Sequence, residues 1–250
     1  MSTDTLSDRL TNVERRMDYP NLRPRDAATL MILDNSGKGE PKVLMGRRHE
    51  RHKFMPGKFV FPGGRVDPAD SRTQVAADYD PVTRAQVLYD MKSRTPEARA
   101  RGLAVAAIRE TYEEAGIFIG RKQKTDLPRP AGMRPFAEHD VALDLTPMRL
   151  IGRAITPPRR PRRFDTRFFV VFADAIADRM PDGILPSGEL QDLHWLPLDE
   201  AKSLDLPTIT SVMIEELQSQ LSADPTLSPD HPVPYYYWAS NRFNRTLIER

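Results

Sequence analysis

The chain has 250 residues, 39% of them hydrophobic and 29% charged, which is enough apolar material for a packed domain. Its 37 basic and 35 acidic residues leave a formal charge of +2, so bulk charge makes no case for a general nucleic-acid binder. The absence of cysteine excludes disulfides, thiolate metal sites and a cysteine nucleophile. No apolar run approaches the roughly 18 residues of a membrane span, so no membrane partner is expected. The charged opening MSTDTLSDRLTNVERR is unlike a signal peptide, and the expected location is cytoplasmic.

Residues 1–24 read as a polar arm and 25–250 as one domain. Ala27 to Leu33 reads as a buried strand, residues 34–39 as a turn, and Pro41 to Arg48 as a second strand. Lys58 to Phe61 makes a short third strand before Pro62-Gly63-Gly64. Asp80-Pro81 has the form of an N-cap followed by proline at the first helical position, predicting a helix to about Arg94. Thr95-Pro96 repeats the signal for a longer helix that stops at Gly116. Residues 120–147 are proline-rich and read as loop. Leu150–Ile155, Arg167–Ala173 and Leu193–Leu196 read as strands, and Pro207 to about Leu221 as an amphipathic helix. In the tail, 222–250, the run Tyr235 to Trp238 is expected to pack into the fold or to form the seam of a homodimer.

The residues Arg109-Glu-Thr-Tyr-Glu-Glu-Ala-Gly-Ile117 carry the chemistry. At about 100° per residue, Glu110, Glu113 and Glu114 share one helix face, while Ala104, Ile108, Thr111, Tyr112 and Ala115 share the other. Three neighbouring carboxylates repel one another, and the helix dipole disfavours them near its C-terminal end. A bound cation would relieve both costs. Oxygen ligands without His or Cys favour Mg²⁺ or Mn²⁺. A solvated acidic face, with Arg109 paired to Glu113, is the plainer alternative.

Gly64, Asp70 and the run from Arg109 to Ile117 together resemble the Nudix box: Gly, five residues, Glu, seven residues, then Arg-Glu-aliphatic-x-Glu-Glu-x-Gly-aliphatic. Asp70 stands where the family has Glu, and 38 residues (71–108) stand where it has seven. The resemblance implies an α/β/α sandwich with a mixed sheet, here carrying a helical insertion as a surface excursion, a lid or a dimer contact. It also implies metal-assisted hydrolysis of a nucleoside diphosphate linked to another group. Gly63 (through its carbonyl), Glu110, Glu113, Glu114 and Asp70 are then the expected metal shell. Arg109 would orient the glutamates, and Glu110 or Glu189 would be the base.

A second stretch, Leu44 to Gly64, is similar to the extended motif of coenzyme A diphosphatases within that family, keeping Leu44, Met45, Arg48, Gly57 and Phe61-Pro62-Gly63-Gly64. This implies coenzyme A or an acyl-CoA as the small-molecule substrate, giving 3′,5′-ADP and phosphopantetheine. Arg48, Lys53, Gly64, Arg162 and Arg163 are the expected substrate contacts, since arginine grips phosphate bidentately and lysine keeps the charge. ADP-ribose, dinucleotides and capped RNA are alternative substrates. A non-catalytic module binding a nucleotide or RNA is the rival from another class.

Overall fold

A strand as apolar as Ala27 to Leu33 must be covered on both faces. In the computed structural model, which describes residues 5–13, 18–37, 39–51, 56–181 and 187–248, this segment forms β1 (Arg25–Asp34). Ala28, Leu30 and Ile32 face one core, and Met31 and Leu33 the other. The next strands are β2 (Lys42–Arg48), β3 (Phe59–Val60), β4 (Gly63–Arg65), β5 (Ile117–Ile119), β6 (Arg121–Lys122) and β7 (Val141–Ala142). They are followed by β8 (Arg149–Ile155), β9 (Phe164–Phe172), β10 (Ile176–Arg179), β11 (Leu190–Pro197), β12 (Val233–Ala239) and β13 (Arg242–Ile248). The main sheet runs β11-β2-β1-β9-β8-β12-β13, parallel at β1–β9 and β8–β12 and antiparallel elsewhere along that path.

Helices α1 (Leu6–Asn12), α2 (Pro81–Leu88), α3 (Pro96–Ala115), α4 (Arg134–Glu138), α5 (Leu198–Ser203) and α6 (Thr208–Ala223) complete the layers. α2, α3 and α4 pack on one core, and α1, α5 and α6 on the other. The result is the expected α/β/α sandwich. The Asp80 carboxylate caps α2 at the Val82 amide (2.8 Å), and Gly116 ends α3 in the left-handed conformation with φ 66°. α2 stops at Leu88, short of the expected Arg94, because Tyr89 turns out of helical geometry and Asp90 takes φ 49°.

Two segments differ from their sequence reading, and the tail packs into the fold, one of its two expected placements. Within the polar arm, Thr5 and Asp8 form a capping box, α1 follows, and its Leu10 is buried in the core beneath α6. Residues 120–147 are not plain loop. They hold β6, α4 and β7, pinned by buried Met133, Phe136, Leu143 and Leu145, whose spacing among prolines gives no helical or strand period. The tail joins the main sheet as the β12–β13 hairpin, where buried Tyr236 donates to Glu216 and Arg245 pairs with the same carboxylate.

Two features position the site. β1 pairs with β2 only at Leu33 and Asp34, then with β4 at Ala27, Ala28 and Thr29. The β3–β4 segment is therefore a wedge in the split between β1 and β2. The insertion is tied within itself, where the Tyr79 hydroxyl donates to the Ala100 carbonyl, and to the rest of the fold, where the Gln86 amide donates to the Pro229 and His231 carbonyls. A Cβ at Gly102 would lie 2.4 Å from Ser71 Oγ and 3.1 Å from the Ser71 backbone, so this glycine lets α3 close on the 3-10 turn that carries Asp70. Gly102→Val should push that turn away and cost about 1–3 kcal/mol, read as a lower urea midpoint. An unchanged midpoint would show that the contact is slack.

Candidate active site

The wedge glycines are required by close approach on both sides. A Cβ at Gly63 would stand 2.6 Å from the Ala28 carbonyl oxygen, and one at Gly64 2.4 Å from Glu110 Oε1. The bare backbone admits β1 on one flank and the acids of α3 on the other. The Gly63 amide donates to Glu114 Oε2 (2.9 Å).

Arg109 is buried and bonds in every direction. Nε and Nη2 donate to the two carboxylate oxygens of Asp70 (3.0 and 3.1 Å), and Nη1 to Glu110 (2.9 Å) and Glu113 (3.0 Å). Nη2 also donates to the Arg65 carbonyl (3.2 Å). Burial disfavours the guanidinium charge, but Asp70, Glu110 and Glu113 more than offset it and hold its pKa above the ordinary value. Asp70, expected among the metal ligands, is instead 1% exposed with both oxygens taken by this fork. The Asp67 amide donates to it as well (2.8 Å). The shorter acid reaches because its turn packs directly on α3.

Burial resists the charge of the acids. Burial pushes Glu114 up to about 8, with Glu110 and Glu189 adding repulsion. Burial likewise raises Glu110 to about 7, against the pull of Arg109. Burial also raises Glu113, against the pull of Arg109. Among the described residues no three acidic or histidine side chains are gathered closely enough to hold a metal ion by themselves. The donor set still fits a hard divalent cation: carboxylates whose charge burial resists, at the edge of an open cleft, with no softer ligand.

That cleft, of about 1490 Å³, brings together Glu110, Glu114, Glu189, Gly63 and Gly64 with Arg48 and Arg162. Arg25, Arg51 and Arg65 also line it. The sequence does not single out Arg25 or Arg65; adjacency to Gly64 is the signal available for Arg65. Arg163 borders the cleft, but its guanidinium is committed elsewhere, donating to the Thr156 and Leu22 carbonyls and to Asn21. It ties down the N-terminal segment rather than offering a free phosphate grip. Lys53 lies outside the described residues. No residue of the insertion, 71–108, lines this cleft.

No family model matches the chain. It is similar to putative nudix hydrolase 7 of Caenorhabditis elegans, 26% identical over 187 residues, covering 69% of this chain and 51% of that protein. It is also similar to acyl-coenzyme A diphosphatase NUDT19 of Xenopus laevis, 30% identical over 95 residues, covering 31% of this chain and 25% of that protein. The chain thus spans about half of the first relative and a quarter of the second. A Nudix hydrolase structure from Alicyclobacillus acidocaldarius superposes with a TM-score of 0.58 at 28% identity, covering 81% of this chain and 93% of that one.

The raised carboxyl of Glu114 has a defined pH signature. Below its ordinary value of about 4.5 the group is protonated in folded and unfolded chains alike. Between 4.5 and about 8 the unfolded chain loses a proton that the folded chain keeps, so stability falls as pH rises, and the loss is complete above about 8. With chelator present, urea unfolding of Glu114→Gln should be less steeply pH-dependent over this interval than that of the parent. Parallel curves would reject the burial of charge at Glu114.

Proposed function

We propose that this chain, a member of the Nudix hydrolases by its box, its sequence relatives and its fold, hydrolyses the diphosphate of a nucleoside diphosphate-linked small molecule. Coenzyme A or an acyl-CoA is the preferred substrate. The observation that carries the reading is the meeting of Glu110 and Glu114, whose charge burial resists, with Glu189 in one arginine-lined cleft.

Mg²⁺ or Mn²⁺ held by Glu110, Glu113, Glu114 and the Gly63 carbonyl would neutralise diphosphate charge and lower the pKa of water. Arg48, Arg51, Arg65 and Arg162 receive the phosphate oxygens, and a 3′-phosphate would add one more anion for this set. Glu189, across from Glu110 and Glu114, takes a proton from the attacking water. The water oxygen bonds to one phosphorus, the bridging P–O bond breaks, and the leaving phosphate departs with the bridging oxygen. From coenzyme A the products are 3′,5′-ADP and phosphopantetheine. Arg109 touches no substrate; with Asp70 it holds the box helix against the wedge. The partial similarity to an acyl-coenzyme A diphosphatase and the motif from Leu44 to Gly64 support this substrate choice. A cytoplasmic location belongs to the same reading; no described helix is long and apolar enough to cross a membrane.

Mass spectrometry of products from coenzyme A, acetyl-CoA, ADP-ribose and diadenosine polyphosphates with Mg²⁺ or Mn²⁺ tests it. The expected result is 3′,5′-ADP from coenzyme A, lost at least 100-fold in Glu114→Gln. Turnover of ADP-ribose alone would keep the chemistry and reject the substrate, and RNA affinity without turnover would favour the binding module. Gly64→Ala, whose new methyl would displace the Glu110 carboxylate, should lower kcat by tenfold or more in a folded protein. Full activity in that variant would remove Glu110 from the machinery.

A further inference from the structure

The acid-lined cleft does not end at the wedge. Past Thr29, Arg48 and Gly63, which line both spaces, it continues into a second cavity of about 310 Å³. The walls there change character: Leu10 of α1, Phe61, Ile155 of β8, Phe168 of β9, Ile209 of α6 and Phe243 of β13. Threonines together with Arg48, Arg160 and Arg162 supply the polar atoms, a minority of the lining. The N-terminal helix and the C-terminal hairpin, the two segments whose placement the sequence left open, each contribute a wall.

An apolar cavity that opens into a phosphate-binding cleft sorts ligands by what is attached to the phosphate. A sugar hydroxyl placed among Leu10, Phe61, Phe168 and Phe243 would give up water and find few partners there. An aliphatic group would gain burial, roughly fourfold in affinity per methylene removed from water. We infer that this apolar arm binds the aliphatic part of the leaving group, and that it selects diphosphates carrying such a group over those ending in a polar sugar. The inference rests on the hydrolytic reading and deepens it. In coenzyme A the carbon chain leaving the diphosphate is branched by two methyl groups at its second carbon from the ester oxygen.

The probes are the methyl and hexyl esters of ADP on the terminal phosphate, with ADP-ribose as the polar comparison. Dissociation constants are measured by calorimetry with chelator present, and turnover to AMP is measured with Mg²⁺. The hexyl ester should bind at least tenfold more tightly than the methyl ester and ADP-ribose. Ile209→Trp and, separately, Ile155→Trp should fill the arm and bring the hexyl-to-methyl ratio within twofold, leaving methyl-ester binding and Tm in place. A ratio below two in the parent, or one that survives both substitutions, overturns the inference. Hexyl preference without hydrolysis of any ester would sink the hydrolytic reading and keep the arm. Hydrolysis without preference would do the reverse.

Discussion

The buried guanidinium of Arg109 donates to Asp70 on the 3-10 turn, to Glu110 and Glu113 on its own helix, and to the Arg65 carbonyl at the end of the wedge. One side chain thus connects three segments. A buried charge is tolerated only when its donors are satisfied, and removing one partner leaves the rest uncompensated. The position of α3 against the wedge, and hence of Glu114 against the Gly63 amide, depends on that satisfaction.

With this anchor in place, the acids and the arginines have opposite needs. Glu110 and Glu114 are held where burial resists their charge. Arg48, Arg51, Arg65 and Arg162 line the same space. A cation would serve the first group and phosphate oxygens the second, and a metal-bound diphosphate brings both at once. Glycine makes the approach feasible: at 63 and 64 any side chain would occupy space that β1 and Glu110 already fill.

The remaining architecture divides its labour by face. The insertion covers the sheet on the α3 side, and Gly102 lets it deliver Asp70 to Arg109. α1, α6 and the final hairpin cover the other side and wall the apolar arm of the cleft. The network of Tyr236, Glu216 and Arg245 fastens that hairpin to α6. Elements from both ends of the chain therefore wall this arm.

Local features were legible in the sequence because they obey short-range rules. Helical period put three glutamates on one face, Asp80 and Gly116 marked helix ends, and the unbroken apolar run at 27–33 required a strand covered on both sides. The box residues were readable for the same reason, since Arg109, Glu110, Glu113 and Glu114 lie within two helical turns. What only the tertiary structure decided is long-range. Asp70 reaches Arg109 across 38 intervening residues through packing at Gly102. Arg163 is spent on the N-terminal segment, while Arg25 and Arg65 enter the cleft. Leu10 and Phe243 meet at one cavity from opposite ends of the chain. Hydrogen-bond spacing and side-chain period act over a few residues, whereas the satisfaction of a buried charge depends on which distant surfaces the fold closes together.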